Sequence, residues 1–292
     1  MPEALAAALT PLRPGGDAID EAALEAVARY LKGARLPGIL ALGTTGEGIL
    51  LSSEERRRVL RRFLAVQDEG FHVFAHCGAQ TTLDTERLAA DAADAGAHAV
   101  AVICPPYFAL SEREMAAHLA SAARACAPCD FYVYEFAARS GYAIPPELLE
   151  RLRGDVENLV GLKVSDTPWE RFEPYLLQGL KVYVGNEGLI SRALRAGAEG
   201  TVSGLAAALP DLVLRAVQSG QDADSARCAA VRTQISAFPF QSALKVLLAR
   251  RGVPLSPDVR RPLTTLSAAE ATQMEALADE ILGTLSLDAE AE

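Results

Sequence analysis

Lys163 is the only charged side chain within the apolar run 159–164, which is predicted to form a buried strand. Side chains in a strand alternate between faces, so Lys163 should share its face with Leu159 and Gly161, and the glycine leaves room beside the amine. Burying an ammonium group is costly, and the usual escape is a neutral amine, which is a nucleophile. Such an amine can form a Schiff base with a carbonyl compound. The alternative is a strand-end lysine that reaches solvent or pairs with Asp166.

Other polar side chains follow or end predicted strands. Residues 43–47, Gly-Thr-Thr-Gly-Glu, form a turn whose glycines permit close backbone approach. Its amides, with the hydroxyls of Thr44 and Thr45, can cradle a carboxylate. Two prolines stiffen the presentation of Tyr107, and Tyr134 lies near the end of the fifth strand. Taken singly, these features are also typical of an ordinary turn, a surface tyrosine and a core aromatic residue.

Together these positions supply an amine, two phenols and two hydroxyls, which suits carbanion chemistry on a 2-keto acid. A neutral lysine attacks the ketone, and the resulting iminium accepts electrons so that C3 can lose a proton or a carbon. Tyrosine and threonine hydroxyls can move the proton without fixed charge. This chemistry requires neither a metal nor a separate cofactor, because the covalent imine itself activates the substrate.

The elements that must position these residues alternate along the chain. Short apolar runs of strand type are separated by segments of helical period, and eight such pairs predict a (β/α)₈ barrel. The active site of such a barrel lies at the carboxyl ends of its strands. The predicted strands cover 5–9, 38–42, 72–76, 99–104, 131–135, 159–164, 181–184 and 200–202, and the predicted helices 20–32, 53–67, 83–95, 112–126, 146–153, 169–178, 188–196 and 209–219.

The barrel is predicted to occupy residues 1–219. Residues 222–251 and 267–282 are helical in pattern without strands of their own, so residues 220–292 should form a C-terminal helical region packed on the barrel.

Composition excludes several classes of protein. The chain has 292 residues and a net charge of −10, which opposes binding to a phosphate backbone, so no nucleic-acid partner is expected. No apolar stretch approaches the roughly 20 residues that cross a bilayer, and the N-terminal residues lack a signal-peptide pattern. Five irregularly spaced cysteines are typical of reduced thiols, including the isolated pair Cys126 and Cys129. We expect a cytoplasmic protein that is associated with no membrane.

The chain resembles the family of dihydrodipicolinate synthase and N-acetylneuraminate lyase, the pyruvate-dependent class I aldolases. The resemblance extends over the barrel and into the C-terminal helices. It rests on residues 43–47, Tyr107 with the proline before it, Tyr134 followed by residues 139–141 (Arg-Ser-Gly), and residues 161–163 (Gly-Leu-Lys). It implies a Schiff-base lyase acting on carbon–carbon or carbon–oxygen bonds.

The resemblance also implies a role for each matching residue. Lys163 would form the imine with pyruvate, Tyr134 would relay protons, and Thr44 and Thr45 would hold the pyruvate carboxylate. One of these threonines would link Tyr134 to Tyr107. Tyr107 often serves the neighbouring subunit in this family, which implies a homodimer or homotetramer. The backbone around Val202 would line the pyruvate pocket.

Arg139 bears on the second substrate. The resemblance assigns an arginine at this position in the synthases to the carboxylate of aspartate semialdehyde, which a guanidinium can hold with two hydrogen bonds. The alternative is that Arg139 pairs with Glu135. The family's usual Tyr-Asn-x-Pro is replaced by residues 134–137 (Tyr-Glu-Phe-Ala), and residues 163–167 resemble the lyase and sugar-acid aldolase branches.

The best prediction is therefore a synthase that uses aspartate semialdehyde. A lyase acting on N-acetylneuraminate or a 2-keto-3-deoxy sugar acid is the first alternative, and a non-catalytic barrel that binds a keto acid is the second. A metal-dependent aldolase is not favoured, because the four histidines are scattered and His72 and His76 fall within an apolar strand, where a structural role is predicted.

Overall fold

The computed structural model describes residues 2–291, and eight parallel strands close into a barrel in chain order. The (β/α)₈ architecture predicted from the sequence is confirmed. The strands are β1 (Glu3–Ala7), β2 (Gly38–Ala41), β3 (His72–His76), β4 (Ala99–Ile103), β5 (Asp130–Glu135), β6 (Leu159–Val164), β7 (Lys181–Val184) and β8 (Gly200–Ser203).

Helices surround the barrel and continue beyond it. The helices of the described residues are α1 (Glu21–Gly33), α2 (Ser53–Leu64), α3 (Thr82–Asp94), α4 (Glu112–Cys126), α5 (Ala137–Ser140), α6 (Pro146–Asp155), α7 (Trp169–Phe172), α8 (Ile190–Arg195), α9 (Pro210–Ser219), α10 (Asp222–Ile235), α11 (Phe240–Arg250) and α12 (Ala268–Ala291).

Local signals in the sequence explain where several helices begin. The Ser52 hydroxyl accepts from the backbone N–H of Glu55, whose carboxylate accepts from the Ser52 N–H at 2.9 Å. This reciprocal cap satisfies two of the free N–H groups at the start of α2. Asp20 caps α1 in a similar way by accepting from Ala23 N–H.

Prolines account for two differences between the predicted and observed helices. Within predicted helix 169–178, Pro174 interrupts the α-helical pattern, so α7 ends at Phe172 and a 3₁₀ turn, Glu173–Tyr175, follows. The predicted helical stretch 222–251 is two helices, and Pro239 immediately precedes the second. A proline ring lacks an N–H and crowds the preceding turn, so it ends or starts a helix more readily than it continues one.

The barrel interior is packed with side chains and is not a pore. Phe74, Tyr132 and Tyr183 meet edge to face there, with ring centroids 5.5–6.3 Å apart. Val202 is 5% exposed within this interior cluster and lies beside Leu5 in the register of β1 and β8. The aromatic side chains close the barrel below the carboxyl ends of the strands, where the polar residues collect.

The predicted facing of β6 is wrong at its first residues. The pairing of β5 with β6 shifts register between Phe131 and Tyr132. As a result Leu159 packs in the outer core and Val160 against the interior cluster, the reverse of simple alternation. Gly161 and Lys163 both face inward, as predicted.

Among residues 2–291, the helices are too short or too polar to qualify as membrane spans.

Candidate active site

Lys163 lies near the carboxyl end of β6 and is only 7% exposed. Its Nζ lies 3.6 Å from the centroid of the Tyr134 ring, on the neighbouring strand β5. The alternative of a solvent-exposed lysine is therefore wrong. Asp166 is not its ion-pair partner either, since Asp166 Oδ1 accepts from the backbone N–H of Ala137 at 3.0 Å. The amine is held against a phenol in the barrel mouth.

The Tyr134 phenol is fully enclosed, and its oxygen lies 3.3 Å from Oγ1 of Thr44. Burial by itself raises the pKa of this phenol. The charge of Lys163 and hydrogen bonds from Lys163, Thr44 and Ser165 oppose burial and leave the pKa of Tyr134 below its ordinary value. A phenol of this kind, joined to a hydroxyl on one side and an amine on the other, can move a proton between them.

The turn after β2 presents Thr44 and Thr45 at the same mouth, with Thr45 only 8% exposed. Glycine is required within this turn because neighbouring backbone leaves no room for a side chain. A Cβ at Gly46 would lie 2.7 Å from the carbonyl oxygen of Ala8, and one at Gly48 would clash with the Leu42 carbonyl. The close approach therefore fixes where the two threonines lie.

Glu47 ends this turn and is held by groups from the C-terminal helices. Its Oε1 accepts from Lys245 Nζ at 2.7 Å with both side chains fully buried, and its Oε2 accepts from the backbone N–H of Arg260 at 2.6 Å. Burial lowers the pKa of Lys245 although Glu47 opposes that shift. This pair was not predicted from the sequence. A lysine inside the apolar stretch of α11 could have indicated that a buried acid lies opposite it. The pair joins the threonine turn to the C-terminal helical region.

Arg139 is exposed on the short helix α5, which the sequence analysis did not predict, and lies at the mouth of the cavity. Its guanidinium carbon is 5.7 Å from the centroid of the Phe136 ring. The alternative pairing with Glu135 is not observed, because Glu135 is buried and its Oε2 accepts from Ile144 N–H at 3.1 Å. Arg139 remains part of the cavity lining.

Glu135 faces Asp166 behind the mouth rather than at its rim. Burial, and then the hydrogen bond and charge of Asp166, raise the pKa of the Glu135 carboxyl to about 9. Glu135 Oε1 has no hydrogen-bond donor within the described chain. A proton on this oxygen would make it a donor to Asp166, and burial beside that second acid favours the protonated form of Glu135.

A cavity of about 290 Å³ opens between these elements. Thr44, Glu47, His76, Arg139 and Gln241 contribute its polar lining, and aliphatic side chains contribute much of the rest. Gln241 also donates to the backbone oxygen of Thr44 at 3.3 Å. His76 was predicted to have a structural role, and its position in the wall of this cavity was not predicted.

Tyr107 does not reach Tyr134 within this chain. It is 89% exposed, has a left-handed backbone (φ 91°), and packs edge to face on Phe108 with ring centroids 4.9 Å apart. The other predicted residues, Lys163, Tyr134, Thr44, Thr45 and Arg139, gather at the mouth, whereas Val202 packs deeper in the barrel.

Within residues 2–291, no group of three or more metal-ligating side chains is placed to hold an ion. Cys126 and Cys129 are free thiols, and burial raises the pKa of Cys126 to about 12 and that of Cys129 to about 11. His72 stacks on His98 at the amino end of the barrel, with ring centroids 4.1 Å apart, far along the strand from His76.

The protein is a closed (β/α)₈ barrel that buries a lysine and a tyrosine at the carboxyl ends of adjacent strands, where the active sites of barrel enzymes lie. The chain matches the profile of the dihydrodipicolinate synthetase family over residues 2–281. The protein belongs to this family, whose named members include lyases and synthases.

Individual relatives differ in their stated activities. An uncharacterized DapA-like lyase of Halobacterium salinarum is 31% identical over 86% of this chain and 85% of its own. A 4-hydroxy-tetrahydrodipicolinate synthase of Alkalilimnicola ehrlichii is 29% identical over 90% of this chain and 92% of its own. The solved structure of a Proteus mirabilis N-acetylneuraminate lyase superposes with a TM-score of 0.87 at 25% identity, covering 96% of this chain and 98% of the other.

Proposed function

We propose that the protein is a class I aldolase that condenses pyruvate with an aldehyde through an imine on Lys163. The observation that carries this proposal is the position of the buried Lys163 amine against the Tyr134 ring, whose phenol is hydrogen-bonded to Thr44. Thr44 and Thr45 would hold the pyruvate carboxylate, and the backbone near Val202 would support the pocket from below. The imine makes a separate cofactor unnecessary.

The steps balance with these residues alone. Lys163 Nζ attacks the pyruvate carbonyl carbon, and the Tyr134 phenol gives its proton to the departing hydroxyl, so that water leaves and an iminium and a Tyr134 phenolate remain. The Tyr134 phenolate then removes a proton from C3, which gives the enamine and a neutral phenol. The enamine C3 attacks the aldehyde carbon, and Tyr134 returns its proton to the aldehyde oxygen, which becomes a hydroxyl. Water finally releases the product and regenerates the amine.

Arg139 supports aspartate semialdehyde as the second substrate, in a reaction of the 4-hydroxy-tetrahydrodipicolinate synthase type. Arg139 lines the cavity, and burial beside Asp166 favours the neutral form of Glu135, so that acid does not repel a carboxylate. N-acetylneuraminate or a 2-keto-3-deoxy sugar acid is the second candidate, because a lyase of that kind is among the most similar structures.

The assembly and location belong to the same proposal. Tyr107 and Phe108 are exposed side by side at 89% and 73%. An exposed aromatic pair of this size is typical of an interaction surface, and we expect it to contact a second copy in a homodimer or homotetramer. The chain would act in the cytoplasm on small molecules, with no nucleic acid or membrane as partner.

Borohydride reduction in the presence of pyruvate, followed by peptide mass spectrometry, tests the proposal. We expect an adduct on Lys163 in the wild type and in Lys181→Ala, which changes an exposed lysine on the next strand. Lys163→Arg should keep the charge and form no adduct. If the wild type forms no adduct but still binds pyruvate as tightly as Lys163→Arg does, the chain is a keto-acid-binding barrel instead.

A further inference from the structure

His76 ends β3 and lines the cavity beside Thr44, although it is only 4% exposed. Its ring meets the Tyr134 ring edge on, with centroids 5.9 Å apart. The buried Arg56 guanidinium holds the strand end in place by donating to the backbone oxygen of His76 at 2.8 Å. The imidazole is therefore a fixed part of the cavity wall.

The hydrogen bonds of His76 determine which ring nitrogen carries the proton. Nδ1 lies 3.2 Å from the backbone oxygen of Leu42. A carbonyl oxygen can only accept, so Nδ1 must carry the hydrogen and Nε2 must present its lone pair. Nε2 is buried and has no partner among the residues that the structure describes.

The imidazole stays neutral because of its surroundings. Burial, followed by the positive charges of Arg56 and Lys163, lowers the pKa of His76 to about 3. The remaining ionisable group against its ring is the Tyr134 phenol. Nε2 is consequently a hydrogen-bond acceptor across the whole neutral range and does not become a donor.

A buried acceptor without a partner destabilises the fold, and such atoms in folded proteins usually receive a hydrogen bond from water or a ligand. Gly78 keeps side-chain atoms away from this nitrogen, since a Cβ there would lie 3.0 Å from Nε2. The arrangement therefore suits a small donor group that arrives with a ligand.

The proposed reaction creates such a donor next to Tyr134. When the phenol protonates the aldehyde oxygen, a hydroxyl appears at C4 of the adduct, beside the residue that the His76 ring touches. We infer that His76 Nε2 accepts a hydrogen bond from this C4 hydroxyl and so makes the enzyme selective for 4-hydroxy-2-oxo acids over their 4-deoxy analogues. This inference rests on the proposed function.

Two probes of equal length separate the hydroxyl from every other contact. 4-Hydroxy-2-oxoglutarate and 2-oxoglutarate differ only at C4, and each is titrated as a competitor of borohydride trapping of ¹³C-labelled pyruvate on Lys163, so that unlabelled pyruvate released from the first probe by the reverse reaction is separated by mass. The wild type should bind the hydroxylated probe roughly 5- to 100-fold more tightly, the range expected for satisfying a buried neutral acceptor.

His76→Asn is the decisive variant, because its amide can still donate to the Leu42 oxygen while nothing replaces Nε2. We expect it to lose the preference for the hydroxylated probe, and that preference is a ratio of two affinities measured on the same variant, so it is independent of how well the variant traps pyruvate. His76→Gln, whose amide reaches the Nε2 position, should restore part of the preference. His118→Asn is the matched control: His118 is also buried, with Nδ1 2.9 Å from Thr82 Oγ1, but lies outside the cavity.

The three possible outcomes each support or contradict the role of His76. A preference in the wild type and in His118→Asn that disappears in His76→Asn and partly returns in His76→Gln supports the inference. An adduct on Lys163 with equal binding of the two probes, or with a preference that survives in His76→Asn, overturns this inference alone. No pyruvate adduct in the wild type overturns the proposed function and the inference with it.

Discussion

Replacing Glu135 by Gln should stabilise the protein near neutral pH. The pKa of this carboxyl rises from an ordinary 4.5 to about 9 because it is buried and faces Asp166. Between these values the unfolded chain has released the proton that the folded chain keeps. Folding must then take up a proton, so stability is greatest below the lower value, falls as pH rises, and levels off above the upper one.

The magnitude follows from the size of the shift. Each pH unit between the two pKa values costs about 1.4 kcal/mol of unfolding free energy, so over the 2.5 units from 4.5 to 7 the wild type loses about 3.5 kcal/mol. Glutamine avoids this loss because its amide is neutral at every pH. Its oxygen can accept from Ile144 N–H and its nitrogen can donate to Asp166, as the protonated acid does.

Urea unfolding at pH 5, 6, 7 and 8 and at one fixed protein concentration measures the effect. The advantage of Glu135→Gln should be small at pH 5 and grow with pH. Glu147→Gln, which neutralises an exposed acid at the start of α6, should stay within roughly 0.5 kcal/mol of the wild type throughout. A stability difference between Glu135→Gln and the wild type that does not change from pH 5 to pH 8 would refute the reasoning.

Three further substitutions test the site. Thr44→Val removes the hydroxyl 3.3 Å from the Tyr134 oxygen, and deuterium exchange into the pyruvate methyl group, followed by NMR, should slow roughly 10- to 100-fold while the Lys163 adduct still forms. Lys245→Met leaves the buried Glu47 carboxylate without its cation, so urea unfolding should show a loss of about 3–5 kcal/mol, and an unchanged midpoint would contradict the pairing. Arg139→Ala should raise KM for aspartate semialdehyde roughly 10- to 100-fold in steady-state assays without affecting pyruvate trapping, and unchanged kinetics would rule out its proposed role.

The barrel could be predicted because its pattern is local. Each strand is a short apolar run followed by polar or glycine-rich residues, and a parallel closed sheet brings the carboxyl ends of all the strands together. That rule alone was enough to gather Lys163, Tyr134, Thr44 and Thr45 at one mouth. Tyr107 also follows a strand, but its loop turns outward with a left-handed backbone, and no strand pattern reports that.

The remaining features depend on partners distant in sequence. Glu47 meets Lys245 across 198 positions, and no local pattern pairs an acid after β2 with a lysine in α11. Glu135 was considered as a partner of Arg139, yet its strand turns the side chain away from Tyr134 and toward Asp166. The unpaired nitrogen of His76 could not be predicted either, because it depends on the position of the Leu42 carbonyl in the turn after β2.

The position of Lys163 depends on a glycine two residues earlier. A Cβ at Gly161 would lie 2.4 Å from the Tyr132 ring and 2.3 Å from the backbone oxygen of Lys181. The absence of that atom lets the Tyr132 ring cover the strand below the amine and close the barrel with Tyr183. The amine consequently has apolar rings beneath it, and only the mouth above remains open to a carbonyl compound. The glycine thus does more than leave room beside the lysine, because it admits the aromatic ring that keeps the amine out of solvent.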